Sequence, residues 1–331
     1  MASAEASHTQ LSFDDLPAWS ADSHEAARET FLRSCGSAPE SPLVEADEWR
    51  TLCDAGRSAT DARAFFEEHF VPVLIEDGNP PLVTGYYEPE LAASRTRQGR
   101  FDEPIYRLPP ERRGVRGAWL TRAEIEGGAL AGRGLELAWL EDPVDVFFLQ
   151  VQGSGRLRME DGSVLRIGYG GRNGHPYRSV GRHMVELGLF AEHQASASNI
   201  RRWVAGNGDD GRRILHHNPS FIFFRVVEDL PEEAGPVGAL GVPVTAMRSI
   251  AVDPDYTPLG APVWLETETA LGPFAALVVA QDVGAAIRGA QRADLFFGSG
   301  REAGEIAGVM RTPGRLVTLL PRAAAARLTG E

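Results

Sequence analysis

The sequence predicts a mainly β protein with accessory helices, and three observations carry that prediction. Short runs rich in β-branched and aromatic residues, bounded by Gly, Pro, Asn and Asp, recur from about residue 80 onward. Apolar residues at three- and four-residue spacing concentrate in residues 23–75 and in two stretches near 180 and 200. From residue 243 the strands follow one another without helical crossovers, which suggests a small barrel. A chain of 331 residues with 43% hydrophobic content can bury a sizeable core and divides more readily into two domains than one.

In chain order, the opening MASAEASHTQLSFDDLPAWS has neither a basic n-region nor an apolar h-region, and no run of eighteen apolar residues occurs anywhere. The sequence as written is therefore expected to be cytoplasmic, or to come from a protein whose export signal lies outside it. Next, SHEAARETFLRSC, EADEWRTLCDAG and DARAFFEEHFVPVLI read as helices starting near Ser23, Glu45 and Asp61, with Gly36 and Gly56 suited to ends. Cys35 and Cys53 fall on the first two. A pair with no odd thiol suits a disulfide in an oxidising compartment, and two small buried thiols in a helical core would fit as well.

NPPLVTGYYEPELAAS is a turn followed by a β-run, in which Tyr86 and Tyr87 point to opposite faces. The Arg- and Pro-rich SRTRQGRFDEPIYRLPPERRG breaks the pattern and reads as a crossing between domains. Thr121 to Glu124 has the capping-box spacing of a short helix. ELAWLE, VDVFFLQVQ, GRLRME and SVLRIGYG are then read as strands, with Asp161-Gly162 as a hairpin turn. Helical SVGRHMVELGLF and SNIRRWVAGN precede the strand SFIFFRVVE. The last block holds strands in VPVTAMRSIAVD, PVWLET, FAALVVAQDV and GRLVTLLPR, with REAGEIAGVM helical. The predicted division is 1–92, 93–242 and 243–331, the middle block being a β-rich insert.

Composition narrows the chemistry. The formal charge of −13, with 33 basic against 46 acidic side chains and no basic stripe interleaved with aromatics, disfavours nucleic acid. No calcium-loop spacing and no His or Cys pair at zinc-ligand distance occurs, so no metal is expected. The serine in VQGSGR lacks the G-x-S-x-G frame, and no dinucleotide or P-loop glycine pattern stands between a strand and a helix. GYGGRNGHPYRS, dense in Gly, Asn, Tyr, His and Arg, suits a hydroxyl-rich, uncharged polymer.

Glycan chemistry normally uses two carboxylates. Asp294, set between Ala293 and Leu295-Phe296-Phe297, fits an acid whose proton is retained by desolvation. The second group stays open: Asp282 is placed to bond a Gly-rich backbone, and Glu88 to end a strand.

TGYYEPEL, FFLQVQGSG, IGYGGRNGHPYRSVG, NPSFIFF and QDVGAAIRGAQRADLFFGSG, in that order, resemble the MltA-type membrane-bound lytic murein transglycosylases over roughly residues 60–325. The resemblance implies a double-psi β-barrel domain built from the N-terminal part and the C-terminal third, an inserted β-domain, and a glycan groove between them. It implies cleavage of the β-1,4 bond between N-acetylmuramic acid and N-acetylglucosamine without water, leaving 1,6-anhydromuramic ends. Because the sugar's own C6 hydroxyl attacks, one acid suffices, and Asp294 inherits that role as acid and then base.

Asp253, Asp282 and Asp294 look like the three aspartates of a 3D domain, with Asp282 and Asp253 in support. Thr84, Tyr86 and Tyr87 would line one groove wall, Gln150, Gln152, Gly153 and Ser154 the other, with Asn173, Tyr177 and Ser179 completing the sugar contacts. The resemblance further implies no cofactor, a monomer acting on peptidoglycan strands in the periplasm or at the outer membrane, and cell-wall enzyme complexes as partners. An inverting glycosidase using Glu88 or Asp282 as base, and a non-catalytic glycan-binding module, are the rival readings.

Overall fold

A computed structural model describes residues 6–36, 41 and 43–329. The protein is mostly β with helices. It divides into two compact units: one combines the chain up to Tyr87, Glu233–Gly298 and the chain from Glu302 onward, and the other combines Glu88–Glu232 with Ser299–Arg301.

The first unit begins with β1 (Ser7–Gln10), α1 (His24–Arg33), α2 (Ala46–Ser58), α3 (Ala62–His69), β2 (Phe70–Glu76) and β3 (Leu82–Glu88), whose last residue belongs to the second unit. Asp61 caps α3 by accepting the Ala64 amide at 3.0 Å. Helix α2 buries Trp49, Leu52 and Cys53, and Trp49 meets Phe31 of α1 edge-on at 5.2 Å. A disulfide joins Cys35 to Cys53, which settles the alternative that the sequence left open. The helix predicted across DARAFFEEHFVPVLI stops at His69, and FVPVLIE is strand β2. Pro72 has no N–H to continue a helical ladder, and Phe70, Pro72, Val73 and Ile75 are buried as a strand with both faces covered.

The second unit contains β4 (Glu90–Ala93), β5 (Glu103–Tyr106), α4 (Arg122–Glu124), β6 (Glu136–Leu140), α5 (Pro143–Gln152), β7 (Gly155–Met159) and β8 (Val164–Arg172). Helices α6 (Val180–Glu186), α7 (Ala197–Gly206) and α8 (Gly208–Leu215) precede β9 (Ile222–Val226). A four-stranded sheet runs β4-β7-β8-β9, parallel at β4/β7 and antiparallel elsewhere, beside the β5/β6 pair. The capping box at Thr121 and the Asp161-Gly162 turn between β7 and β8 form as predicted. VDVFFLQVQ is the helix α5, where a strand is predicted. Asp142 caps it by accepting the Val144 amide at 2.8 Å, Pro143 fits the first turn, and Gly153 ends it at φ 81°. The extended GRFDEPIYR stretch supplies β5 within this unit.

The chain then returns to the first unit with β10 (Ser249–Val252), β11 (Pro262–Thr269), β12 (Gly272–Val283), β13 (Arg292–Ser299), α9 (Gly300–Ala307), β14 (Arg311–Thr312), β15 (Gly314–Pro321) and α10 (Arg322–Thr329). Nine strands form one sheet in the order β1-β2-β15-β11-β12-β10-β13-β3-β14. Among the described residues no pairing joins β1 to β14, so the hydrogen bonding is that of an open sheet where a closed small barrel is predicted. Helices α1–α3 cover Trp264, Leu277, Val279 and Val317 on one face. The other face packs Val83, Ile250, Val263, Val278, Leu295 and Leu316 together. No helix among the described residues is long and apolar enough to cross a membrane.

Candidate active site

Strand alternation decides which side chains meet. On β13, Ala293, Leu295 and Phe297 enter the core, which leaves Arg292, Asp294 and Phe296 on the opposite face. On the neighbouring β3, Val83 and Tyr87 pack with that same core, so Thr84 and Tyr86 stand on Asp294's face. Gly85 between them permits the close approach: a Cβ there would lie 2.7 Å from the Phe297 ring and 2.9 Å from Ala307 Cα.

Asp282 reaches this face through an irregularity. Ile250 of β10 pairs with Ala280 of β12, yet Ala251 pairs with Asp282, so Gln281 is skipped. Ala251 also pairs with Asp294 across β10/β13. The two aspartates therefore flank Ala251 on either side, two strand spacings or roughly 9.6 Å apart at their backbones.

Asp294 is half-buried, and its carboxyl is hydrogen-bonded. Thr84 Oγ1 donates to its Oδ1 at 2.6 Å, and Arg292 Nη2 donates to Thr84 Oγ1 at 2.8 Å. Desolvation pushes the Asp294 carboxyl up from 3.8 to about 6; the Thr84 hydrogen bond and the Arg292 charge oppose that rise, and the Asp282 charge adds to it. Asp282 is likewise pushed up to about 6 by desolvation, against the amides of Val283 and Ala239, each donating to Oδ1 at 2.9 Å.

The Tyr86 ring packs on Phe296 at 5.1 Å. Burial first, and then the two aspartates, hold its phenol well above its ordinary value. Its hydroxyl faces Asp282 closely enough to influence it but makes no hydrogen bond of proper geometry. Asp253 is buried: its carboxyl accepts from the Gly289 amide at 2.9 Å and from Arg288 Nη1 at 3.3 Å, and its carbonyl accepts from Tyr256 and Thr257. Tyr87 turns to the core side, where its ring fills the space a Cβ on Gly304 would need.

The second unit places its predicted residues unequally. Gln150 is buried, with Oε1 accepting from Arg122 Nη2 at 2.5 Å, and it serves the scaffold rather than an open surface. Asn173, predicted to touch sugar, is 0% exposed and is fully committed: Nδ2 donates to the Leu120 and Pro219 carbonyls at 2.8 Å, and Oδ1 accepts the Phe221 amide at 2.9 Å. Ser179 caps α6 by accepting the Arg182 amide. Gly153 is the left-handed end of α5, and Ser154 beside it is buried. Gln152 and Tyr177 remain partly accessible.

Glu88, the rival second carboxyl, is 1% exposed. Its Oε2 accepts from Arg156 at 2.7 Å and Ser299 at 2.6 Å, and its Oε1 accepts from Arg166 at 3.0 Å. The sequence reading missed this network, together with the buried Arg122 and the role of Arg292. An arginine two residues before the acid on the same strand was the available signal for the last.

A two-unit, mainly β protein with one hydroxyl-bonded, desolvated carboxyl on the sheet of its first unit defines a class of insert-bearing 3D-domain proteins. The MltA specific insert domain matches residues 82–225, and the 3D domain matches residues 248–320. The chain belongs to the membrane-bound lytic murein transglycosylase A family. The protein of that name from Escherichia coli (strain K12) is 39% identical over 246 residues, covering 71% of this chain. The Vibrio cholerae one is 35% identical over 286 residues, covering 83% of this chain and 74% of that protein. The chain spans 64% of the length of the E. coli relative. Among solved structures, the membrane-bound lytic murein transglycosylase from Agrobacterium tumefaciens aligns with a TM-score of 0.88 at 34% identity, over 97% of this chain and 99% of that one. E. coli MltA with bound chitohexaose aligns with a TM-score of 0.72 at 31% identity, over 90% of each chain.

Proposed function

We propose that this protein is a peptidoglycan lytic transglycosylase that cleaves the β-1,4 bond between N-acetylmuramic acid and N-acetylglucosamine, with Asp294 as its sole acid and base. One observation carries the reading: Asp294 is raised to about 6 and is bonded by Thr84 on one oxygen, which leaves the other for the substrate. Glu88 has both oxygens occupied by Arg156, Arg166 and Ser299, and Asp282 holds two backbone amides.

Protonated Asp294 gives its proton to the glycosidic oxygen as the C1–O bond breaks. The resulting carboxylate accepts the proton of the C6 hydroxyl as that oxygen bonds to C1. Asp294 ends protonated again, the new muramic end is a 1,6-anhydride, and no water is consumed. At pH 7 a group titrating at about 6 is protonated in roughly a tenth of molecules, which suits alternating duty.

Thr84 and Tyr86 share Asp294's face and are read as its sugar-side neighbours. The parallel β10/β12 pair among antiparallel neighbours supports the finer reading of the first unit as double-psi. Relatives named membrane-bound and murein-cleaving support action on peptidoglycan in the envelope. The test is mass spectrometry of purified peptidoglycan treated with wild type and with Asp294→Asn. Anhydromuropeptides that require Asp294 support the reading; intact strands that bind but are not cut by wild type overturn it in favour of a binding module.

A further inference from the structure

We infer that Arg292 is a positioning residue that makes Asp294 a one-oxygen acid, acting through the hydroxyl of Thr84. The inference rests on the reading of Asp294 as the acid and base, and it concerns which oxygen carries the proton and what fixes that choice.

A threonine hydroxyl has a single proton and otherwise accepts. Arg292 Nη2 lies 2.8 Å from Thr84 Oγ1, and a guanidinium has no lone pair with which to receive a hydrogen bond. The Thr84 proton therefore has no partner on that side and is directed onto Asp294 Oδ1, 2.6 Å away. Oδ1 is occupied as an acceptor in both protonation states, so the exchangeable proton resides on Oδ2. The proton is given up and retaken at the same atom, and neither half of the reaction needs the carboxyl to rotate.

The guanidinium is itself braced. Its Nη1 donates to the Leu82 carbonyl at 3.3 Å and to the carbonyl of Ala293. It is thus fastened to both strands that carry the site, β3 and β13, and the register holds Thr84 and Asp294 in bonding range. Arginine at position 292 shares Asp294's face because two residues along a strand return to the same side. The other charged or titratable groups in this neighbourhood are Asp282 of β12, Tyr86 of β3 and Arg311 of β14, which pairs with Thr84 in register. None of these donates to the Thr84 hydroxyl among the described contacts, so Arg292 alone sets its direction.

The experiment is a carbon-13 titration of aspartate carboxyls in the intact protein, with the Asp294 signal assigned by its loss in Asp294→Asn. Arg292→Gln is expected to raise the Asp294 midpoint by about one pH unit. Arg292→Lys, which still supplies a charged donor, is expected to recover most of that change. In a Thr84→Val background, Arg292→Gln is expected to move the midpoint less, because the hydroxyl link is already cut and only the direct attraction between the Arg292 charge and the carboxylate is left to lose. The alkaline limb of anhydro-product formation should shift upward with the midpoint in Arg292→Gln. A folded Arg292→Gln with an unmoved midpoint overturns the inference, and so does an equal shift in the Thr84→Val background, which would mean charge acting through space. A wild type that makes no anhydro ends would instead remove the catalytic reading, and the titration would still decide whether Arg292 acts on Asp294 through Thr84.

Discussion

Asp294→Asn should make the protein more stable at neutral pH while abolishing its chemistry. The carboxyl rises from 3.8 to about 6 on folding, mainly through desolvation. At about 1.36 kcal/mol per pH unit, that displacement of roughly two units corresponds to about 3 kcal/mol. Asp294 is only half-buried, and solvent screening reduces the figure to about 2 kcal/mol. Below pH 3.8 the group is neutral in both states and costs nothing. Between 3.8 and 6 the unfolded chain ionises first and folding loses stability; above 6 the penalty is complete. Asparagine keeps the shape and can still accept from Thr84, but it carries no charge to desolvate. Urea unfolding of wild type and Asp294→Asn at pH 7 and pH 4 is the assay. The mutant is expected to gain about 2 kcal/mol at pH 7, with most of that difference gone at pH 4. Equal stabilities at both values, or a less stable mutant at pH 7, would refute the claim that Asp294 ionises at a folding cost.

The remaining predictions concern the scaffold. Replacing Cys35 and Cys53 by serine reopens a segment whose ends are 18 residues apart, which costs about 3 kcal/mol by chain entropy; denaturation with and without reductant checks it. Glu88→Gln leaves Arg156 and Arg166 facing a neutral group and should destabilise the second unit by about 3 kcal/mol without changing the type of product made. Hydrolytic products from that variant, read by mass spectrometry, would count against the purely structural role given to Glu88.

Legibility in the sequence followed the strength of local signals. Asp294 stood out because apolar neighbours on either side implied desolvation, and the structure places it between two core-facing residues of β13. The capping box at Thr121 and the Asp161-Gly162 turn were readable because their chemistry is contained in four residues or fewer. VDVFFLQVQ was misread because valine and phenylalanine favour strands, whereas Asp142, Pro143 and Gly153 at its ends specify the helix that tertiary packing selects. FVPVLI carried the helical spacing past His69, and Pro72 was the overlooked stop. Gln150 and Asn173 enter as sugar contacts through the family resemblance, which carries no measure of burial. Their burial depends on Arg122, Leu120 and Pro219, partners brought in from distant positions. The placement of Asp282 beside Ala251 rests on a register shift that no local pattern encodes.

The identity of the nucleophile tests the central claim most directly. Peptidoglycan digested by the wild type in heavy-oxygen water should yield 1,6-anhydromuramic ends that carry no label, because the attacking oxygen is the sugar's own. Reducing muramic ends bearing one labelled oxygen would contradict the lone-acid mechanism and favour an inverting glycosidase, in which Glu88 or Asp282 activates water.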